Sequence, residues 1–309
     1  MKLKRRAAVI GLVALVCASS AHGAASDTDP PCSQTPVAGS RGVQLPYAGG
    51  TRFFQLHVPP NVAVGRHLAL VLALHGAGST GPKMERYSGF SAQADKYGFA
   101  VAYPSAAGPL WNIAASQKGA DDVGFIAAVI GTVESSLCID PKRVYATGVS
   151  NGAGMVELLG CAISRQLTAI APVEGVYSGQ PACHPSRPVS VLEIHGTADR
   201  IAPYYGDDLG TAASGVPPIV RGWVHRDACG RSSSTKQLAA RSTLYAWGRC
   251  NGSTSVEHVR ILGGSHQWPG ATPPDPGPAS TFCGACVIWG FFASLRPSAA
   301  SRTGGAGIS

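Results

Sequence analysis

The sequence predicts an α/β domain with a mainly parallel central sheet and helices on both faces. Two observations carry that prediction. The run Leu68–Leu74 is continuously apolar, as expected of a central strand covered by helices on each side. Strand-like and helix-like stretches then alternate along most of the chain, the rhythm of a sheet wound from both faces. The composition agrees. With 309 residues, 45% hydrophobic and 14% charged, the chain can bury a sizeable core as one large or two small domains. It is too apolar for a disordered polymer. No repeat with a period of about 20–50 residues is visible, which argues against a solenoid or propeller.

Residues 1–23 read as a secretory signal peptide. Lys2, Lys4, Arg5 and Arg6 precede an apolar run from Ala7 to Ala18, and Ala21-His22-Gly23 is a small-residue cleavage site. The apolar run is shorter than the ~20 residues of a membrane-spanning helix. Lipidation at Cys17 is disfavoured by the bulky Val16 before it. The expected location is therefore extracellular, with the periplasm as the alternative. No other apolar stretch is long enough to span a membrane, so none is expected in the mature chain.

The remaining elements follow in order. Residues 24–50, rich in Gly, Pro, Ser and Asp, read as an extended lead-in, and Arg52–Val58 as an edge strand. After Leu68–Leu74, Ser91–Tyr97 reads as a short helix and Phe99–Tyr103 as a buried strand stopped by Pro104. Asp121 and Asp122 open a long helix to Ser136, since acidic residues cap a helix start and complement its dipole. Arg143–Thr147, Thr168–Val173, Val189–Ile194 and Val256–Leu262 read as strands, and 151–163 and 283–295 as helices. Residues 200–255 interrupt the rhythm with Pro217-Pro218, a helical turn near Trp223 and a hairpin turned by Asn251-Gly252. They are expected to form an insertion over the sheet edge and the site. The catalytic domain then spans 51–296, and 297–309 read as a flexible tail.

Charge and cysteine narrow the function classes. Removing the leader takes the formal charge from +8 to +4, because its four basic residues leave with it. No dense Lys/Arg block remains, so nucleic-acid binding is not indicated. Eight cysteines stay in the mature part, an even number that suggests disulfides in an exported chain, although 105 pairings are open. Cys161 with Cys183 and Cys229 with Cys250 are reasonable pairs by position. Cys283-Gly284-Ala285-Cys286 lacks a second ligand pair, which favours a disulfide over a metal site.

The chemistry centres on Gly148-Val149-Ser150-Asn151-Gly152, set between a predicted strand and a predicted helix. G-x-S-x-G in that context is the nucleophile elbow of an α/β-hydrolase fold. The sharp turn leaves no room for side chains at its flanks, lifts Ser150 clear of the sheet and aims helix-start N–H groups at an incipient oxyanion. A serine needs a base and an orienting carboxylate, which follow it in the chain order acid, then His. Asp199 stands just past the strand Val189–Ile194, at the edge where ligands gather in open α/β sheets, and is the candidate acid. His266, on the Gly-rich loop after the last strand, is the candidate base.

The other histidines fit less well. His184 and His225 precede no sheet end, and His258 lies inside a strand. His195 stands before the acid and is read as a turn support. Oxyanion donors are expected from the backbone N–H of Asn151 and, on the loop after Leu74, of Ala77, where Gly76 and Gly78 permit close approach. Trp111, Trp268 and His75 are candidate substrate-contacting residues. No metal or organic cofactor is called for.

Taken together, these stretches resemble the polyhydroxybutyrate depolymerase/feruloyl esterase group of secreted α/β-hydrolases. The resemblance rests on Leu74-His75-Gly76, Trp111-Asn112, Asp121–Phe125, Ile139–Tyr145, Gly148–Gly152, Ala171–Val173, His195–Asp199 and Gly263–Pro269, and runs from about Arg52 to Leu295. It implies serine carboxylesterase chemistry with Ser150, Asp199 and His266 as triad. The implied substrates are hydroxyalkanoate oligomers or feruloyl or acetyl esters of plant polysaccharide. Many members carry Cys or another residue where Ala77 stands. Polymer-degrading members often carry an added binding domain, for which the sequence past Leu295 leaves no room. A non-catalytic polymer- or glycan-binding protein, and a peptidase or acyltransferase using the same triad, are the competing readings. Oligomeric state is not encoded legibly.

Overall fold

The structure, a computed structural model, describes residues 36–60, 62–114, 118–206, 215–271 and 282–295. The leader 1–23 with Cys17, most of the stretch from 24 to Gly39, Cys32 and the tail 297–309 lie outside the described residues.

Among the described residues, ten strands form one sheet: β1 (Gly39–Tyr47), β2 (Gly50–Val58), β3 (Leu68–Leu74), β4 (Ala100–Pro104), β5 (Ile139–Val149), β6 (Ala169–Val173), β7 (Ser190–Gly196), β8 (Ser234–Ala239), β9 (Ser242–Trp247) and β10 (Val256–Ile261). Their spatial order is β1-β2-β4-β3-β5-β6-β7-β10-β9-β8. The six central strands, β4 through β10 in that order, pair in parallel. An antiparallel pair extends the sheet at either end.

Among the described residues, six helices cover it: α1 (Gly81–Ser88), α2 (Phe90–Tyr97), α3 (Asp122–Ser136), α4 (Asn151–Ala162), α5 (Val216–Arg226) and α6 (Gly284–Ser294). Strand side chains alternate between faces, and β3 divides accordingly. Leu68, Leu70, Leu72 and Leu74 join one core with α3, α4 and α5, whereas Ala69, Val71 and Ala73 join the other with α1, α2 and α6. On the second face, small residues on the strand leave room for rings: Phe99 stacks on Trp289 and Tyr145 on Phe292. Both faces of β3 are therefore dry, which is why its sequence shows no polar alternation.

Three expectations need correction: the edge strand, the extent of the insertion over the site, and the Asn251-Gly252 turn. The extended lead-in ends in a strand, because β1 begins at Gly39 and pairs with β2 over its length. Its Val43, Leu45 and Tyr47 pack on the core. Arg52–Val58 is consequently not an edge strand; β1 takes that place. Among the described residues the 200–255 insertion reaches the site only in part, where its Ile201 lines the cavity beside Ser150. Its β8 and β9 continue the sheet beyond β10, and α5 packs on one face. Asn251-Gly252 lies within a longer connection between β9 and β10, as a 3-10 turn, instead of forming a tight hairpin.

Disulfides join Cys161 to Cys183, Cys229 to Cys250 and Cys283 to Cys286. Among the described residues, no helix is long and apolar enough to cross a membrane.

Candidate active site

The C-terminal ends of the parallel strands gather the predicted residues on one rim. Ser150 follows β5 and caps α4 with φ 59° and ψ −123°, a sparsely populated conformation for a residue with a side chain. The flanking glycines make it possible. A Cβ on Gly152 would lie 2.3 Å from the His75 carbonyl oxygen, and one on Gly148 would lie 2.8 Å from that of Gly152. The strained turn is pinned by the Ser150 N–H donating to Val173 and by its carbonyl accepting from Gly154 and Val176. Among the described residues the Ser150 hydroxyl takes no hydrogen-bond partner. It opens on a cavity of about 600 Å³ that His266 also lines.

Asp199 and His266 meet because two loops approach backbone to backbone. A Cβ on Gly196 would lie 2.3 Å from the Gly264 carbonyl oxygen. Thr197 N–H donates to Ile261, Ala198 N–H to Gly264, and Gly263 N–H to the Thr197 hydroxyl. That clamp places His266 Nδ1 2.6 Å from Asp199 Oδ2. The other carboxylate oxygen accepts the N–H groups of Ile201 and Ala202 at 2.7 and 2.8 Å. Burial alone would raise the Asp199 carboxyl. Hydrogen bonds from His195, His266 and the Ala202 N–H outweigh it and hold the group well below the usual carboxylate range.

The loop after β3 is braced from the far side. Trp111 Nε1 donates to the His75 carbonyl at 2.9 Å, and Gly78 N–H donates to Pro109. The Asn151 side chain accepts from the Trp111 N–H at 2.7 Å and donates to its carbonyl. Asn151 opens α4, so its own backbone N–H lacks an intrahelical partner. Ala77 lines the cavity beside Ser150. The Asp121–Phe125 stretch anchors this region. Asp121 caps α3 by accepting from Gly124. Asp122 pairs with Arg52 at 2.6 Å and accepts from Asn112 N–H at 2.8 Å.

Two predicted contacts are not where the sequence suggested. Trp268 is 1% exposed, packs on Phe90 and donates to the Ser88 carbonyl; it props the His266 loop from inside the core. His75 is equally buried, and its Nε2 accepts from the Ala106 N–H. That acceptor role leaves the ring proton on Nδ1, which donates to the Gly76 carbonyl at 2.7 Å. Burial lowers its pKa, so it braces the loop as a neutral ring. Trp111 lines a second cavity of about 640 Å³ that meets the first at Ala77, Ser150 and Ile201.

Behind Asp199 lies a buried network that the sequence did not reveal. His195 Nδ1 approaches Glu193 at 3.1 Å, and its Nε2 lies 2.9 Å from the Ala202 carbonyl and 3.3 Å from Asp199 Oδ2. Tyr177 donates to Glu193 at 2.6 Å, and Gly196 N–H donates to Glu174. Burial would lower the imidazole pKa of His195, but the carboxylates of Asp199, Glu193 and Glu174 around it raise it well above its ordinary value. Burial raises Glu174 well above the carboxylate range. Glu174, His195 and Asp199 have ligand-type atoms within 4.8 Å of one another. Each of those atoms is engaged within the protein, so the set works as an internal hydrogen-bonded support. Glu193 lies within β7 and Glu174 at the end of β6, and only the paired strands bring them together.

Comparison with known proteins places this geometry. Residues 53–242 match the family model described as esterase PHB depolymerase. The chain is 31% identical to "Putative esterase NocK" of Nocardia uniformis subsp. tsuyamanensis over 287 residues, covering 79% of each protein. It is 32% identical to feruloyl esterase B of Piromyces equi over 172 residues, which is 52% of this chain and 31% of that larger protein. Among solved structures, an acetyl xylan esterase from Aspergillus awamori superposes with a TM-score of 0.58 at 18% identity, covering 74% of this chain and 94% of its own. That likeness establishes the shared α/β-hydrolase fold.

Proposed function

The chain belongs to the PHB depolymerase family of esterases, and from that premise we propose that it hydrolyses carboxylic esters through Ser150, His266 and Asp199. The observation that supports this most is the 2.6 Å Asp199–His266 hydrogen bond at the wall of the cavity on which Ser150 opens. Asp199 accepts from Nδ1–H, which leaves Nε2 unprotonated and able to take a proton. His266 removes the Ser150 proton as Oγ attacks the ester carbonyl. The tetrahedral oxyanion is met by the N–H groups of Asn151 and Ala77, each such donor typically worth about 3 kcal/mol of barrier. His266 then returns its proton to the departing alkoxide. Water, activated by the same imidazole, cleaves the acyl-enzyme and restores Ser150.

The substrates that suit this reading are hydroxyalkanoate oligomers or feruloyl and acetyl esters of plant polysaccharide. The Trp111 side of the site supplies an apolar wall for an acyl or aromatic group. The basic and apolar leader of the sequence supports export. The test is a panel of methyl ferulate, hydroxybutyrate oligomers, acetylated xylan and p-nitrophenyl butyrate against the wild type and Ser150→Ala. At least one ester should be turned over by the wild type and none by the variant. Equal turnover by both would overturn the assignment.

A further inference from the structure

The two cavities that meet at Ser150 differ in chemistry. The first is lined by Lys83, Arg86, Tyr87, Ser79 and His266, with no carboxylate among the described residues that line it. Lys83 and Arg86 stand three apart on α1 and so share a helix face. Both are exposed, and neither has a carboxylate partner among the described residues. The acid between them, Glu85, is engaged with Ser40, Ser91 and His57. The second cavity is lined by Leu110, Trp111, Ile113 and Val176 together with Asn151, and among the described residues carries a single cation, the exposed Lys118. Its Asp122 is already paired with Arg52.

The proposed reaction orients an ester across this boundary. As the C–O bond of the tetrahedral intermediate breaks, its electron pair stays on the alcohol oxygen, which takes the proton from His266. The leaving alcohol must therefore sit on the His266 side, in the first cavity. The carbonyl oxygen turns toward the Asn151 N–H, and the acyl chain enters the second, apolar cavity. Resting on the serine-esterase reading above, we infer that the protein prefers esters whose alcohol portion carries a carboxylate, held by Lys83 and Arg86. A hydroxy acid is the simplest such leaving group. On a hydroxyalkanoate oligomer this places the cut next to the free carboxyl end and releases one short hydroxy acid per event. An anionic group on the acyl side would gain less, because that side offers one cation, Lys118, among largely apolar walls.

The experiment compares kcat/KM for a 3-hydroxybutyrate dimer as free acid with that for its methyl ester. A charge-assisted contact made by two cations should give the free acid an advantage of about tenfold or more. The advantage should shrink as salt rises from about 50 to 500 mM, since exposed charges are screened. It should fall to near one in Lys83→Gln/Arg86→Gln. On the acyl side, where one cation stands against two, p-nitrophenyl hemisuccinate should show a smaller advantage over p-nitrophenyl butyrate than the free acid shows over its methyl ester. A free-acid ratio near one in the wild type, a ratio unchanged by the double variant, or an acyl-side preference as large as the alcohol-side one would each overturn the inference. Because the wild-type ratio and its salt dependence need no variant, the test survives misfolding of the double substitution. Failure of the underlying reading looks different: Ser150→Ala would then hydrolyse both dimers as fast as the wild type.

Discussion

Replacing Asp199 by Asn isolates the part of the site that orients the base. One oxygen of Asp199 is committed to two backbone donors, Ile201 and Ala202, at 2.7 and 2.8 Å. An Asn in this place keeps its carbonyl there, so its NH2 group faces His266 Nδ1 across the 2.6 Å gap now closed by a hydrogen bond. Two donors cannot share that contact, and the imidazole must shift its proton to Nε2. The ring then presents N–H to the cavity and cannot accept the serine proton. In another serine hydrolase this tautomer error lowers kcat by about 10⁴, or roughly 5 kcal/mol of barrier. Loss of one ordinary hydrogen bond, at about 1 kcal/mol, would slow the reaction only about fivefold, so the magnitude separates a tautomer-setting role from simple bracing. The assay is steady-state hydrolysis of p-nitrophenyl butyrate by Asp199→Asn, with circular dichroism to verify folding. Activity within tenfold of the wild type in a folded variant would refute the reasoning.

Further outcomes follow from the packing around the site. Burial pushes the Glu157 carboxyl up to about 7, against the opposing hydrogen bonds from Trp223 and the charge of Arg226. The folded state therefore holds this proton more tightly than the unfolded chain, and the stabilisation present below pH 4.5 is lost as pH rises through 7. Glu157→Gln should remove about 3 kcal/mol of that decline between pH 5 and 8. Urea denaturation at each pH measures it, and an unchanged slope would count against the assignment.

Gly152→Ala would force a Cβ to 2.3 Å from the His75 carbonyl oxygen and should cost more than about 4 kcal/mol or prevent folding. Gly131→Ala, with no atom near its Cβ on the exposed side of α3, should instead gain up to about 1 kcal/mol. Thermal melts of the pair decide both. Replacing Cys229 and Cys250 by Ser frees a loop of 21 residues' separation and should lower stability by about 3 kcal/mol, read as a drop in Tm.

Local signals made much of this molecule readable in one dimension. The elbow is legible because its constraint is local: Gly148 and Gly152 are dictated by backbone atoms of the same turn and the adjacent strand. Asp199 could be placed because it follows the largely apolar β7, and His266 because a Gly-rich loop follows β10, whose Val256, Val259 and Ile261 are spaced by polar residues. The outer strands were harder. β1 does alternate at Val43, Leu45 and Tyr47, but Gly42 and Pro46 interrupt the pattern and its other side chains face solvent. β8 is almost wholly exposed and polar, so nothing in its composition marks a strand; pairing with β9 supplies the missing cause. Trp268 was misplaced because adjacency to His266 in sequence says nothing about which way the indole turns. The support behind Asp199 was invisible for a related reason: Glu174, Glu193 and His195 become a network only through the register of β6 on β7.

The central claim is that Ser150 is the reactive alcohol of this fold. It is tested most directly by reacting the folded protein with a fluorophosphonate and locating the adduct by mass spectrometry. The account predicts stoichiometric modification of Ser150 and none in Ser150→Ala. An adduct at another residue, or no adduct on folded wild-type protein, would contradict it.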